Sequence, residues 1–383
     1  MKEDHDAIIP IRQSGIAGAS YNLINSIVGS GVIGMSYAFR QAGFGVGIII
    51  LLLVAVLTDF SITLLLRSGD LAKVTTYQDL VLHVMGKPGL VSYNIIIGDT
   101  VTKISLVGLV LVFIVLLVLI KRGFNIVDHI PIKERHWNFA DTNVAEGFGV
   151  MAFAFMCHHN SFLIYNSMED ATLPRWRLVT TITVFVSLAF AMSYGLAGYM
   201  VFGQSAEGDL LENYCHYDSL INMMRLMYAF NIMLTFPLEC LVCRQVAEIL
   251  IFKSLKFNFH NHHIIITIVI VICSVLISLS TDCLGIVLEL NGTLMASSLA
   301  YILPSLCYIK LKSSDSWLRF DILAATIMLT IGISLTIAGF LLPLRQALTE
   351  GYKCKHGMDP DYCLKIFPKT HKNISLLVKT VIH

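Results

Sequence analysis

Charged residues are scarce in this chain. Asp, Glu, Lys and Arg make up 14% of its 383 residues, whereas a soluble domain has about 25%. Hydrophobic residues reach 56%, and the mean hydropathy is +0.73. The composition excludes an ordinary soluble domain and predicts an all-α polytopic membrane protein whose surroundings are the lipid bilayer. The formal net charge is +1 and no basic patch interleaved with aromatics occurs, so we expect no nucleic-acid partner.

Motifs for catalysis and for transition-metal binding are also lacking. We find no Ser-centred nucleophile elbow, no metal motif and no paired carboxylates in mid-span, whereas an enzyme needs a convergent nucleophile, base and orienting group. Cys240 and Cys243 lack a second pair of ligands. The adjacent side chains of His158 and His159 would point about 100° apart on a helix. We therefore expect neither an enzyme nor a resident cofactor.

Long hydrophilic stretches are missing as well, so the apolar runs follow one another closely. A crossing of about 30 Å of hydrocarbon needs roughly 20 helical residues, and nine runs are long enough. They are 15–39, 44–66, 91–120, 143–168, 178–203, 219–252, 262–280, 283–309 and 320–344. We predict one transmembrane domain at 15–345, between a head at 1–14 and a tail at 346–383.

Positive charge in the loops predicts the orientation. With the N-terminus inside, the inner loops carry eleven Lys and Arg residues and the outer loops five, as the positive-inside rule requires. The head is then cytoplasmic and the tail extracellular, in a multi-pass protein that we expect in the plasma membrane. The sequon at Asn373 would be glycosylated only outside. A disulfide among Cys215, Cys354 and Cys363 fits that oxidising side, but their spacing leaves the pairing open.

The first apolar span is interrupted between Asn22 and Gly34 by polar residues and three glycines, Gly29, Gly31 and Gly34. In hydrocarbon, a weakened helix is tolerated only if its freed backbone groups face protein or a cavity. Close helix packing through small residues is one explanation, and ligand binding is the other. A dinucleotide-binding loop would need a preceding strand and a following amphipathic helix, and neither is present.

The span at 143–168 is interrupted in the same way, because Phe153–Phe162 places five polar or weakly polar residues in an apolar run. Two interrupted spans in corresponding positions of two halves indicate a secondary transporter with its site near the midplane. The positive end of a half-helix then receives a substrate carboxylate, while unwound carbonyls hold a cation. This pattern favours binding over packing for the first span.

A third element lies at Thr235, two residues before Pro237. Proline removes a backbone donor and frees a carbonyl one turn back, and hard oxygen ligands of this kind suit a sodium ion. The alternative is that the Thr235 hydroxyl bonds to its own helix near a kink.

These motifs resemble those of the sodium-coupled neutral amino acid transporters of the amino acid/auxin permease superfamily. The matching stretches, in the same order, are Asn22–Ala38, Phe153–His158, Thr235–Pro237, and Leu290–Gly292 leading to Ile302–Pro304. The resemblance implies a LeuT-type inverted-repeat bundle that imports a neutral α-amino acid by sodium symport.

The resemblance also implies roles for individual residues. The implied sodium ligands are the side chains of Asn25 and Thr235 and the carbonyl of Val28. The implied substrate-binding residues are Ser26, Gly29, Ser30 and Gly31 in the first span, and Phe155, Met156 and His158 in the second. Glu289 lies deep in an apolar span, where it is either a proton-coupling acid or a structural carboxyl bonded to a helix end.

The chain departs from the family pattern because members have about eleven spans. Part of the third span is missing between 86–89 and 91–95, and the whole fourth span is missing after 99–103. One run, 91–120, replaces three crossings. Because both numbers are odd, the later spans keep their orientation in the membrane, but the first repeat is incomplete. A transport-impaired isoform, an amino-acid sensor or regulatory protein, and a proton-coupled transporter are therefore alternatives to sodium symport.

Overall fold

The computed structural model describes residues 14–29, 31–85, 98–131, 137–255, 262–280, 283–312, 320–349 and 360–366. Within these ranges the regular structure is helical, apart from one isolated bridge between Ser14 and Met168. The prediction of an all-helical membrane protein is confirmed.

The helices follow the apolar runs of the sequence. The first five are α1 (Ile16–Ile27), α2 (Met35–Ala42), α3 (Phe44–Ala72), α4 (Tyr77–Met85) and α5 (Gly98–Ile126). The next five are α6 (Val144–Ala154), α7 (His158–Asn166), α8 (Leu173–Phe202), α9 (Ser219–Leu255) and α10 (His262–Ser280). They are followed by α11 (Leu284–Leu290), α12 (Leu303–Leu311), α13 (Phe320–Thr349) and α14 (Asp361–Ile366), and a π-helical segment, Asn291–Ile302, joins α11 to α12.

Helices long and apolar enough to cross a membrane account for most of the predicted spans. Among the described residues there are six such helices, and the bent pair of α1 and α2 makes a seventh. Helices α9 and α10 also lie where crossings are predicted, and α10 contains the shorter apolar helix Ile264–Leu279. The total of nine crossings stays a prediction.

The two interrupted spans run antiparallel to each other. At one end the backbone N–H of Ser14 donates to the carbonyl of Ser167, at 2.9 Å. At the other end the N–H of Asp141 donates to the carbonyl of Ala42, at 3.0 Å. Accordingly α1 packs on α7, and α2 packs on α6. This is the relation that inverted repeats require, although the LeuT-type fold itself stays a prediction.

Helix α5 occupies the region where one run was predicted to replace three spans. Its 29 residues correspond to about 43 Å of helix, which suffices for a single crossing. It packs on α1, α8 and α9. A single crossing here agrees with the opposite directions of the two interrupted spans.

A disulfide joins Cys215, in the loop after α8, to Cys363 in the tail. It is one of the pairings that the sequence left open. The Tyr362 hydroxyl donates to the carbonyl of Asn213, and the ring of Tyr362 stacks on Phe202. The described part of the tail therefore lies on the same side as the loop between α8 and α9. Cys354, Asn373 and head residues 1–13 lie outside the described residues.

The docked tail leads to a topology prediction. An epitope tag placed after His383 should be detected by antibody on intact cells, because residues 360–366 lie beside a loop that is predicted to face outward. Replacing Asn373 by Gln should remove a glycan-dependent shift in gel mobility, and a tag before Met1 is the matched control for an inner end. Detection of the C-terminal tag only after permeabilisation would contradict the orientation.

Candidate functional site

The first span breaks where the glycines predict. Helix α1 ends at Ile27, and regular structure resumes with a short 3₁₀ turn at Val32–Gly34 that leads into α2. The two halves are bent by 50°. The N–H of Val28 still bonds to the carbonyl of Ile24, at 2.7 Å, so the helical hydrogen bonding ends within the next residues. Ser30 lies outside the described residues.

The second span also breaks within the predicted stretch. Helix α6 ends at Ala154, and α7 begins at His158. The N–H of Met156 makes a tight 3.0 Å bond to the carbonyl of Phe153, which ends the α-helical pattern. Phe155 and Cys157 are buried within the break. Both interruptions inferred from the sequence are thus real breaks in helical spans.

The two breaks touch each other through Gly31. A Cβ atom on Gly31 would lie 2.4 Å from the Cα of Ala154, a distance that no side chain tolerates. Glycine is therefore needed for the backbone of one break to approach the backbone of the other. The packing explanation holds for Gly31, and this packing brings the polar ends of four half-helices together.

Those half-helix ends supply both kinds of backbone group. The last carbonyls of α1 and α6 carry a partial negative charge, and the first N–H groups of the following half-helices carry a partial positive charge. An α-amino acid carries one group of each sign, so a pair of touching breaks can hold both of its charges with backbone alone.

Helix α9 satisfies a freed carbonyl of the first break. The hydroxyl of Tyr228 donates to the carbonyl of Gly29, at 2.8 Å, in a buried position. Without this bond a backbone acceptor would be left unpaired inside the protein. Tyr228 was not among the residues predicted from the sequence.

Helix α9 also reaches the second break through Glu239. The amide Nδ2 of Asn160 donates to the Ser26 hydroxyl at 3.0 Å and to Glu239 Oε1 at 3.2 Å. The Nε2 atom of His159 lies 2.7 Å from Glu239 Oε2. The side chains of Asn160 and Glu239 thus link the first break, the second break and α9 in one polar network. The sequence signal for it, polar residues of α9 at 228, 231, 235 and 239, follows the helical period.

The predicted sodium ligands lie on α1 and α9. Asn25 is buried, and its Oδ1 has no hydrogen-bond partner among the described residues. Val28 is the residue that follows the last turn of α1. The Thr235 hydroxyl donates to the carbonyl of Ile232, at 3.0 Å, which is the alternative bond to its own helix. That bond uses the proton of the hydroxyl and leaves oxygen lone pairs available.

The predicted substrate-binding residues gather at the two breaks. Ser26 accepts the bond from Asn160, and Met156 is half-buried. His158 is fully buried, and neither of its ring nitrogens has a hydrogen-bond partner in the described structure. Buried polar side chains are normally paired, so His158 departs from the usual pattern of a buried residue.

Glu289 lies in a separate polar cluster with Glu146, Gln41 and Tyr37. Both carboxyl groups are buried. The backbone of Glu289 packs near Gly149, three residues after Glu146, because a Cβ atom on Gly149 would lie 3.0 Å from the Glu289 carbonyl oxygen. Gln41 donates to Glu146 and to the Tyr37 hydroxyl. Oε1 of Glu289 has no hydrogen-bond partner among the described residues.

Comparison with known proteins gives one family. A family model described as "Transmembrane amino acid transporter protein" matches residues 12–98 and 99–342. The "Putative sodium-coupled neutral amino acid transporter 11" of Danio rerio is 38% identical, with 91% of this chain and 90% of the relative covered. The protein of that name from Homo sapiens is 34% identical, with 85% and 92% covered. The "Vacuolar amino acid transporter 2" of Saccharomyces cerevisiae is 27% identical, with 80% and 78% covered.

The comparison confirms the family resemblance. It also bears on the missing segments. The alignment with the Danio rerio relative is 408 positions long, but 91% of this chain is only about 349 residues. About sixty positions of the relative therefore have no counterpart here. The family match is split between residues 98 and 99, inside the interval that carries both predicted gaps.

The bond from Tyr228 to Gly29 predicts a measurable effect on stability. Replacing Tyr228 by Phe should lower the free energy of unfolding by about 1–3 kcal/mol, because it leaves a buried carbonyl unpaired. The thermal unfolding midpoint of the purified protein in detergent measures this change. Tyr21→Phe is the control, because that side chain is 37% exposed. Equal midpoints for the two variants would contradict the role of Tyr228.

Proposed function

Because the chain belongs to the family of transmembrane amino acid transporter proteins, we propose that it imports neutral α-amino acids by sodium symport. The observation that carries this proposal is the contact between the two breaks. Gly31 meets Ala154 where two antiparallel spans are both unwound, so the backbone groups that can bind a substrate lie together.

In this proposal the substrate is bound at both breaks. Backbone groups at Gly29, Ser30 and Gly31 hold the carboxylate, and the second break holds the amino group and the side chain. Phe155 and Met156 supply apolar contact there, while the unpaired ring nitrogens of His158 provide a polar contact. The first break carries no ionised side chain, which favours a substrate with no net charge.

Sodium is the proposed coupling ion. The mammalian and fish relatives are named as sodium-coupled transporters, and Asn25, Val28 and Thr235 are the proposed ligands. A cation between α1 and α9 stabilises the arrangement in which the first break is in place to meet a substrate. Binding of either ligand then favours binding of the other, because both select the same conformation.

Asn25 supplies a direct test of sodium coupling. Asn25→Ala should raise the sodium concentration needed for half-maximal uptake about tenfold, as expected when a ligand to a charged group is lost. Uptake of a panel of radiolabelled neutral amino acids into reconstituted vesicles, with and without a sodium gradient, provides the measurement. Potassium in place of sodium is the control. Two results would contradict the proposal: uptake that is the same with and without a sodium gradient, or an unchanged half-maximal sodium concentration in Asn25→Ala.

The membrane of residence is part of the same proposal. Import by a sodium gradient suits the plasma membrane, and an extracellular tail with its disulfide fits that location. The yeast relative is named as vacuolar, so the alternative is an internal membrane. Surface biotinylation of cells that express the tagged chain distinguishes the two locations.

Proton coupling is a second candidate, and Glu289 favours it. Its carboxyl is buried and has an unpaired oxygen. An ionised carboxylate is costly inside a span, so a buried carboxyl with an unpaired oxygen is suited to carry a proton. Glu289→Gln should abolish uptake driven by a proton gradient while leaving sodium-driven uptake in place. Glu207→Gln, outside this cluster in the loop after α8, is the control.

The missing segments support a third candidate, a chain that binds amino acid but transports it poorly. About sixty positions of the relative are absent, and alternating access requires one set of helices to move against a scaffold from both repeats. An incomplete scaffold also leaves polar groups of the breaks less well covered, at a cost of several kcal/mol for each unpaired group.

Restoring the two segments tests this candidate. A chain with both segments inserted from the Danio rerio relative should take up substrate faster per surface molecule than the present chain. A second variant, with Gly/Ser linkers of equal length at the same positions, is the matched control for inserted length. Equal turnover by the present and restored chains would show that the segments are dispensable.

A further inference from the structure

Helix α5 brings a glycine against two buried asparagines. A Cβ atom at Gly108 would lie 2.5 Å from Oδ1 of Asn231 and 2.8 Å from Oδ1 of Asn25. The two oxygens are therefore at most about 5.3 Å apart. Asn231 belongs to α9 and Asn25 to the last turn of α1. Three helices thus bring polar side chains together beside Gly108, in a cluster that we call the Gly108 pocket.

The polar groups of this pocket lack partners. Asn231 is 0% exposed, and neither its oxygen nor its nitrogen has a hydrogen-bond partner among the described residues. Oδ1 of Asn25 and the hydroxyl of Ser105 are also buried and unpartnered. Ser105 precedes Gly108 by three residues, so it lies on the same face of α5. Buried polar groups are nearly always paired, and three in one place indicate a ligand.

The chemistry of the pocket indicates the kind of ligand. Amide and hydroxyl oxygens are hard ligands, which suit alkali and alkaline-earth cations rather than soft metals. None of the three side chains is ionised, so the pocket has too little negative charge to neutralise a divalent cation. The C-terminal end of α1 adds a partial negative charge beside Asn25. These properties match a monovalent cation.

We propose that Asn231 and Ser105 join Asn25 in a sodium site between α1, α5 and α9, where the absence of a side chain at Gly108 leaves room for the two amide oxygens. The identity of the ion rests on the proposed sodium symport, whereas the position of the site rests on the pocket. Thr235 lies four residues after Asn231, on the same face of α9, so its hydroxyl can extend the site by one turn. The ion also fixes α5, the helix that replaces three crossings, to the first interrupted span.

The test is sodium binding by the purified full-length chain, measured without transport. The unfolding midpoint in detergent is followed against sodium chloride, with choline chloride keeping the ionic strength constant. The wild-type midpoint should rise and saturate with sodium only. In Asn231→Leu and Gly108→Ala the concentration for half-maximal effect should increase about tenfold or more, because one variant removes an oxygen and the other fills the pocket.

Matched variants separate loss of the site from loss of the fold. Gly15→Ala makes the same chemical change as Gly108→Ala, but at a glycine with no heavy atom within 4 Å of the added Cβ, so its sodium response should equal that of the wild type. Asn231→Asp keeps an oxygen in the pocket and should retain the response. Ser105→Ala is a mild change and should raise the sodium concentration for half-maximal effect about threefold.

The outcomes distinguish this site from the transport proposal. A wild-type protein that sodium stabilises no more than choline does would overturn the site. A normal sodium response in Asn231→Leu and Ser105→Ala would overturn it as well, even if sodium drives uptake. If the wild-type chain binds sodium but shows no uptake, and these variants lose sodium binding, the site is supported and only the symport proposal is rejected.

Discussion

The rest of this structure depends on how unwound backbone is satisfied inside a membrane. Hydrocarbon supplies no hydrogen-bond partners, so every group released by a broken helix must find one in the protein or in a ligand. The first break meets this requirement at Gly29, whose carbonyl accepts a hydrogen bond from Tyr228. The close approach of Gly31 to Ala154 brings the second break beside it. Groups that remain unpaired, such as the ring nitrogens of His158, are the places where the proposed ligand would supply the missing partner.

Helix α9 is the element that connects these partners. Its polar residues at 228, 231, 235 and 239 share one face. Tyr228 reaches the first break, Asn231 the pocket at Gly108 and Glu239 the second break. A cation or substrate bound at one of these contacts restricts the position of α9 at the others. Coupling between two ligands then needs no long pathway, because both act on the position of one helix relative to α1.

The breaks were predictable from sequence and their partners were not. Polar and glycine residues within apolar runs are a local signal, and both breaks lie where this signal places them. The bond from Tyr228 to Gly29 spans 199 residues of sequence, so no local pattern shows it. The spacing of the glycines did not distinguish helix packing from ligand binding at Gly31, because both require a backbone that carries no side chain. Thr235 could be predicted because it lies two residues before Pro237. Asn231, one turn earlier, belongs to no such motif.

The same constraint bears on the incomplete first repeat. The side chain of Glu239 is 48% exposed although it pairs with His159 and accepts a bond from Asn160. An ionised carboxylate is expensive in lipid, so this face of α9 meets water or protein within the membrane. About sixty positions of the Danio rerio relative have no counterpart in this chain, and the two predicted gaps lie in the repeat that contains the first break. In a chain without these segments there are three solutions. This face of α9 lines a water-filled cavity, it is covered by a neighbouring molecule, or the carboxyl group of Glu239 is neutral. Each of these solutions changes the environment of the polar network that joins the two breaks, and therefore the energy of moving one break against the other.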